Sequence, residues 1–372
     1  MRALQVALSF AGFFVAGFTL GMSFDIGAQP FSTILGVIVL GFLATALHEA
    51  GHWLGARLGG MTVLQARLFA VDIQALRHGV RARWARGGKG QSWLGFVFAA
   101  NAPDQPVRRA KLLFIAMGPL INLMIGGVCL AGAAIAWPHG GVVLAFAAVN
   151  LAIGLANLVP TNKGMPSDGA QLLSWWRRPD EHSPDFAYSR LLALYVSGVD
   201  AAQLPAADMQ TLARQPMPMP LVALSFRLAA LQVDGDWGAA LRLDDELKDL
   251  LDANPKALGP CAASIAILRR ELDFCRAMVH GDAGILNAPL LNRDIDWYSP
   301  TLAPRCHALQ AALSGDGVAM EHYLAEAMIF ARNSQVRSFA PFEAALAPQI
   351  RACLRNPQAV STALYSSGEL QA

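Results

Sequence analysis

Four long runs of apolar residues decide what kind of fold this sequence can adopt. They cover residues 4–23, 31–58, 112–137 and 142–159. A helix needs about 20 mainly apolar residues to cross a bilayer, and these runs have that length or come close to it. The chain is 54% hydrophobic and 15% charged, which is too apolar for an ordinary soluble protein. We therefore predict an α-helical polytopic membrane protein with about four transmembrane helices. The first run exceeds the 7 to 15 apolar residues typical of a signal peptide, so a membrane helix is favoured there.

The segment between the second and third runs, residues 59–111, is rich in cations. It carries nine Lys or Arg against two Asp, and the positive-inside rule therefore places it in the cytoplasm. Residues 62–73 and 92–100 contain β-branched and aromatic residues around a glycine-rich tip, which predicts a small β-hairpin. We expect residues 62–73 to offer an exposed edge. A lipid-facing collar is a more common role for such a basic cluster than binding of an anionic ligand.

Beyond the interfacial pattern Trp175–Arg178 the composition becomes that of a helical domain. We assign residues 179–220 to a linker and first helices, and residues 221–372 to a cytoplasmic all-α domain. Helical segments recur there in pairs, 221–233 with 237–251 and 302–313 with 320–331. A short α-solenoid that loosely resembles tetratricopeptide repeats and a plain helical domain both fit this pattern. The five cysteines form no C-x-x-C pair, which indicates free thiols in a reducing compartment.

The second apolar run contains His48-Glu49-Ala50-Gly51-His52. Ionisable residues inside a membrane segment are costly, and a functional role is the default hypothesis for them. Residues i and i+4 share one face of a helix, so His48 and His52 can bind the same cation while Glu49 stays unligated. Zinc suits two imidazoles, and Glu49 is then available as a general base. The alternative, a chance match to H-E-x-x-H on a buried helix, is disfavoured by this apolar setting.

Catalytic zinc sites commonly use three protein ligands, so the motif needs one more. Asp168 follows the cytoplasmic end of the fourth run, while His48 and His52 lie toward the cytoplasmic end of the second. The depths match, which makes Asp168 the candidate third ligand. The alternative role for Asp168 is an ordinary N-cap, because a short helical stretch follows it.

Several motifs together resemble the site-2 protease family of intramembrane zinc metalloproteases. They are His48–His52, Gly118-Pro119 with Asn122, Asn157, Pro160 and Asp168-Gly169. The resemblance covers about residues 1–176, and it implies a transmembrane metalloprotease domain over residues 1–178. It implies that His48, His52 and Asp168 bind one Zn²⁺, that Glu49 activates water, and that Asn122 and Asn157 steady the substrate backbone or oxyanion. The sequence departs from the family pattern in an insert at residues 162–166, in Ser167 where Leu is common, and in Ala170 where Gly is common.

The expected function is hydrolysis of a peptide bond in a membrane-embedded segment near the cytoplasmic face. The expected partners are a membrane protein substrate and the lipid bilayer, and the expected location is a bacterial inner membrane. The second hypothesis is an inactive membrane adaptor with a structural zinc, whose helical domain binds a partner. A soluble metalloprotease is disfavoured by the four apolar runs. The net charge of +2 gives no reason to expect nucleic acid binding.

Overall fold

The computed structural model describes residues 1–24, 30–85, 95–136, 140–162, 166–177, 180–287 and 293–355. The predicted glycine-rich tip at residues 87–90 and the centre of the insert at residues 163–165 lie outside these ranges. The chain divides into two compact units. One comprises Met1–Ala75 and Val80–Glu181, and the other comprises Leu76–Gly79 and His182–Ala372.

Five helices build the first unit: α1 (Arg2–Phe24), α2 (Pro30–Leu58), α3 (Val107–Ile135), α4 (Gly141–Leu158) and α5 (Asp168–Arg177). The first four are long and apolar enough to cross a membrane, which confirms the prediction of four helices with the length and apolarity of membrane spans. Helix α1 packs along α4 rather than standing apart. A β-carbon on Gly12 would lie 2.1 Å from the β-carbon of Ala152. The first apolar run is therefore an integral part of this helix packing.

Helices α2 and α3 approach each other through glycines on one face of α2. Gly51 and Gly55 are one turn apart, and a β-carbon on either would lie 2.5 to 2.7 Å from Met117 of α3. Such spacing lets two membrane helices pack almost backbone to backbone. This close packing also brings the imidazole of His52, the residue after Gly51, against the Cα of Gly118.

An antiparallel sheet of four strands replaces the predicted hairpin. The strands are β1 (Thr62–Leu68), β2 (Val71–Ala75), β3 (Val80–Trp84) and β4 (Gly95–Ala100), in the spatial order β3-β2-β1-β4. The prediction of one strand over residues 62–73 was wrong, because a turn with Phe69 at φ +54° divides them into β1 and β2. The prediction that these residues form an exposed edge was also wrong. Strand β1 pairs with β4 and β2, and β2 pairs with β3.

The turn between β1 and β2 reaches the middle of α2. The ring of Phe69 lies edge-on to the ring of Phe42, with centroids 4.5 Å apart. Phe42 precedes His48 by six residues, which is about 9 Å along a helix axis. Part of the basic segment is therefore folded against the membrane helix and is more than a collar at its end.

The charged residues of this sheet are paired across its strands. Asp72 is fully buried and accepts hydrogen bonds from Arg67 Nε at 2.6 Å and from Arg83 Nε at 3.2 Å. The three residues are direct cross-strand neighbours in β1, β2 and β3. Phe96, opposite Arg67 in β4, extends the row, because its ring centroid lies 5.4 Å from the guanidinium carbon. Pairing of this kind makes buried charge tolerable.

The second unit is helical. Its helices are α6 (Ala187–Ser197), α7 (Ala206–Ala213), α8 (Met219–Asp234), α9 (Trp237–Ala253), α10 (Ala262–His280), α11 (Arg293–Tyr298), α12 (Leu302–Leu313), α13 (Gly317–Asn333) and α14 (Phe339–Arg355). The predicted helix pairs are confirmed as α8–α9 and α12–α13. In both pairs an aspartate, Asp236 or Asp316, caps the second helix through a backbone N–H three residues ahead.

A buried ion network joins three helices of the second unit. Arg305 of α12 is 1% exposed and donates hydrogen bonds to Glu271 of α10 and to Glu343 of α14. Its guanidinium also lies about equally far from the rings of Phe274 and Phe342, at 5.1 and 5.0 Å. One cation therefore faces two carboxylates in an apolar core, an arrangement that makes each of the three groups depend on the others.

Candidate metal centre

The two motif histidines lie one turn apart on α2 and turn the same ring nitrogen toward one point. The Nε2 atoms of His48 and His52 are 3.2 Å apart, and both residues are buried. The opposite nitrogens are held by oxygen acceptors. His48 Nδ1 lies 2.7 Å from Asn122 Oδ1, and His52 Nδ1 lies 3.0 Å from the carbonyl oxygen of Phe114. Both acceptors belong to α3, so the close packing of α2 and α3 sets both rings.

These contacts determine where the lone pairs of the rings point. A carbonyl or amide oxygen only accepts, so each Nδ1 carries the ring proton and each neutral ring has its lone pair on Nε2. Two lone pairs that face each other at 3.2 Å repel unless a positive charge lies between them. The geometry of the two rings therefore calls for a cation, or for protons in its place.

Asp168, the first residue of α5, completes the cluster. Its Oδ2 lies 3.0 Å from His48 Nε2, and its Oδ1 lies 3.5 Å from His52 Nε2. The three side chains are buried, and one donor atom from each lies within 4.8 Å of the others. Burial raises the pKa of the Asp168 carboxyl, but hydrogen bonds from the two imidazoles and their positive charge when protonated outweigh burial and bring the pKa down to about 2. Asp168 is therefore an anionic donor at neutral pH.

Ser167, and not Asp168, is the N-cap residue of α5. Ser167 Oγ accepts from the backbone N–H of Ala170 at 3.3 Å, which is the N-cap bond of α5. The same hydroxyl accepts from Thr161 N at 3.0 Å and donates to the carbonyl of Val159 at 2.7 Å. Ser167 therefore ties the start of α5 to the end of α4. This leaves the Asp168 carboxylate free for the cluster.

Glu49 lies next to strand β4. A β-carbon on Gly95, the first residue of β4, would lie 2.7 Å from Glu49 Oε1. Glu49 Oε2 is buried without a hydrogen-bond partner in the part of the chain that the structure describes. A buried carboxylate oxygen without a partner is costly. Glu49 is therefore placed to receive a proton or a hydrogen bond from a molecule bound beside β4.

The predicted asparagines have different surroundings. Asn122 is buried and uses its whole amide, since Oδ1 faces His48 while Nδ2 donates to the Ala44 carbonyl and to Asn150 Oδ1, each at 2.9 Å. Its predicted contact with substrate stays a prediction, and these bonds give it the separate task of holding His48. Asn157 donates to the Ile153 carbonyl of its own helix at 3.1 Å. Asn150, which the sequence analysis did not select, is the partner of Asn122 on α4.

Comparisons of the chain with protein-family models, with curated proteins and with solved structures find no match.

Proposed function

We propose that the chain is an intramembrane zinc metalloprotease that hydrolyses a peptide bond of a transmembrane segment near the cytoplasmic face. One observation carries the proposal. Two histidines and one aspartate, separated by up to 120 positions in sequence, bring three donor atoms to one buried point between apolar helices. Ionisable groups at such a depth are rare and are usually functional.

The donor set fits zinc in chemistry and in spacing. Tetrahedral zinc with bonds of about 2.0 to 2.1 Å separates its ligand atoms by about 3.3 Å. The two Nε2 atoms are 3.2 Å apart, and each lies close to one oxygen of Asp168, His48 at 3.0 Å from Oδ2 and His52 at 3.5 Å from Oδ1. Two neutral imidazoles and one carboxylate are also the ligands typical of a hydrolytic site that leaves a fourth position open. His48, His52 and Asp168 would thus hold the ion.

The proposed mechanism assigns each step to residues of this chain. A zinc ion at this site would acidify a water molecule and polarise the scissile carbonyl. Glu49 Oε2 would accept the proton of the attacking water and then deliver it to the leaving amine. His48 Nδ1–H would go on donating to Asn122 Oδ1, and His52 Nδ1–H to the Phe114 carbonyl. Neither ring would then compete with Glu49 as a base.

Strand β4 is proposed to present the substrate. Backbone groups of a membrane helix are already hydrogen-bonded, so a substrate must become extended before attack. Strand β4 pairs with β1 on one side, and no described strand pairs with its other side. A segment added along that free edge would pass Glu49 at Gly95. This edge replaces the one expected at residues 62–73.

Proline substitution along β4 tests this mode of presentation. A proline at Val97 or Phe98 removes a backbone N–H from the strand. If an extended substrate pairs with β4, at least one of the two variants should lose cleavage while it keeps wild-type zinc content. Full cleavage by both variants would exclude β4 as the substrate strand.

The basic segment supports a cytoplasmic location for the site. Residues 59–111 carry nine Lys or Arg against two Asp, and by the positive-inside rule this supports the proposal that the segment and the neighbouring ends of α2 and α4 face the cytoplasm of a bacterial cell. The second unit follows α5 and is proposed to lie in the cytoplasm, where its helices bind a protein partner or position the substrate.

The decisive experiment compares wild type with Glu49→Gln in the membrane proteome of the producing cells, and zinc is measured in both purified proteins. We expect about one zinc per chain in both, and accumulation of uncleaved membrane proteins only with the variant. Asp168→Asn is expected to lower the zinc content. Equal zinc in wild type and Glu49→Gln with no accumulating protein would overturn the protease function and leave the adaptor.

A further inference from the structure

A chain of buried amides crosses three membrane helices and ends at His48. Asn122 of α3 and Asn150 of α4 are both 0% exposed. Asn150 Nδ2 donates to the Phe146 carbonyl at 2.9 Å, and Asn150 Oδ1 accepts from Asn122 Nδ2 at 2.9 Å. Asn122 Nδ2 gives its second proton to the Ala44 carbonyl of α2 at 2.9 Å. Asn122 Oδ1 is then left for His48 Nδ1 at 2.7 Å.

The chain has a fixed direction because it is anchored at both ends by carbonyl oxygens. An asparagine amide can adopt two orientations that exchange the places of its oxygen and nitrogen, and the hydrogen-bond partners decide between them. The Phe146 carbonyl can only accept, so the atom facing it must be the nitrogen of Asn150. The Ala44 carbonyl and Asn150 Oδ1 both accept from the nitrogen of Asn122, and together they fix the orientation of that amide. Asn122 Oδ1 must therefore face His48, and Nδ1 of His48 must donate to it.

We propose that Asn150 is a positioning residue which, through Asn122, keeps His48 in the Nδ1–H tautomer with its Nε2 lone pair aimed at the metal centre. The inference rests on the proposed function for the identity of the ion, but not for the tautomer itself. The described hydrogen bonds of the Asn150 side chain go to Asn122 and to the Phe146 carbonyl, and not to the metal cluster. Asn150 Oδ1 accepts the second N–H of Asn122, the one that does not bond to the Ala44 carbonyl.

The loss of Asn150 has a defined chemical consequence. Without its Oδ1, one N–H of Asn122 is buried without an acceptor, which costs about 1 to 3 kcal/mol. Turning the amide over relieves that N–H but sets Oδ1 against the Ala44 carbonyl. The free-energy preference for the native orientation therefore falls, and the nitrogen faces His48 Nδ1 more often. That nitrogen of the ring must then accept, and the ring proton moves to Nε2. A protonated Nε2 cannot bind a metal ion until it loses its proton, so the affinity falls.

The test measures zinc affinity by chelator competition on the full-length protein in detergent. Asn150→Leu and the smaller Asn150→Ala both remove the acceptor oxygen, and we expect either to weaken zinc binding by about 10- to 100-fold. The matched control is Asn157→Leu on the same helix, because among the residues that the structure describes its amide bonds to the Ile153 carbonyl of its own helix. This control should bind zinc within about twofold of wild type.

A double variant separates positioning from a general loss of packing. If Asn150 acts through Asn122, Asn150→Leu should have no further effect on zinc affinity in an Asn122→Leu background. If the two effects add in full, the proposal is overturned. The same result follows if folded Asn150→Leu and Asn150→Ala both bind zinc as tightly as wild type.

A second measurement does not depend on zinc. Nitrogen NMR of the ¹⁵N-histidine-labelled, metal-free protein, with His48→Gln to assign the signal, reports the tautomer of His48. We expect Nδ1 of His48 to be protonated in wild type, with or without a second proton on Nε2 beside Asp168, and to be unprotonated in a measurable fraction of Asn150→Leu and Asn150→Ala. If the tautomer changes but wild type binds no zinc, the proposed function fails and the positioning role stands. An unchanged tautomer in both variants overturns the positioning role.

Discussion

The Cα of Gly169 faces the carbonyl oxygen of Leu158 so closely that a β-carbon on Gly169 would lie 1.9 Å from that oxygen. Gly169 directly follows Asp168 at the start of α5, and Leu158 is the last residue of α4. Only glycine permits this approach. The position of the third donor is thus set by how closely two helix ends can meet.

Gly169→Ala should therefore displace Asp168 from the histidines. The new methyl group must push α5 away from α4, and a shift of about 1 Å is enough to spoil a ligand geometry. We expect zinc affinity to fall by about tenfold or more, measured by chelator competition. Gly127→Ala on α3 is the matched control, because a β-carbon there meets no atom of the described residues within 4 Å. Wild-type affinity in Gly169→Ala would mean that the contact does not position Asp168.

Gly95→Ala should affect catalysis without affecting zinc. A β-carbon there would lie 2.7 Å from Glu49 Oε1, and Gly95 has φ +153°, which L residues rarely adopt. Glu49 must move to relieve the contact, while the metal cluster does not touch Gly95. We expect the rate of cleavage to fall by about 10²-fold or more, with zinc content equal to wild type. If cleavage is unchanged, Glu49 is not the general base in the position described.

Features of this fold that rest on local pattern could be predicted from the sequence. The four spans follow from runs of apolar residues, and the helix pairs of the second unit follow from a helical period and a capping aspartate at Asp236 and at Asp316. The motif histidines followed from their spacing of four. Asp168 could be chosen because topology limited the search to one end of the fourth span.

Features that depend on distant contacts could not be predicted. Residues 80–84 alternate apolar and basic residues, which is a strand signal, but their positive charge is equally typical of a basic collar. The central place of β1 arises from pairing with β4, about 30 positions away. Asn150 gave no signal either, since its importance arises from a hydrogen bond to Asn122 on another helix. A single sequence shows that a buried asparagine needs a partner, but not which partner it has.

Glu181 is predicted to stabilise the start of α3. Its two carboxylate oxygens accept from the backbone N–H groups of Val107 and Arg108, each at 3.1 Å. Because those groups have no partner within the helix, and a helix N-terminus attracts negative charge, Glu181→Ala should lower the free energy of unfolding by about 1 to 2 kcal/mol. Thermal unfolding of the full-length protein in detergent measures this loss.

The control for Glu181 is Asp104→Asn, which removes an exposed carboxylate just before the same helix. It should shift the melting temperature by less than a third as much as Glu181→Ala. Equal shifts for the two variants would show that a general charge effect, rather than the two hydrogen bonds, is responsible.

Glu343→Gln should change how the stability of the second unit depends on pH. Glu343 is 4% exposed, and burial raises its pKa above the ordinary 4.5, although the opposing effects of Arg305 and of a hydrogen bond with Thr301 lower it. The nearby Glu271 carboxylate also raises the pKa. The folded protein therefore holds a proton at pH values where the unfolded chain has lost it. Stability falls as the pH rises from about 4.5 through the folded pKa, by up to about 1.4 kcal/mol per pH unit.

Glutamine cannot lose a proton, so Glu343→Gln should gain on wild type as the pH rises from 5 to 8. Thermal unfolding of both full-length proteins at several pH values measures the gap between their melting temperatures. Glu321→Gln is the control, since Glu321 is an exposed carboxylate whose hydrogen bond to Arg351 lowers its pKa. It is ionised in both states throughout this range, so its gap to wild type should stay constant. A constant gap for Glu343→Gln as well would mean that Glu343 is already ionised in the folded protein at pH 5.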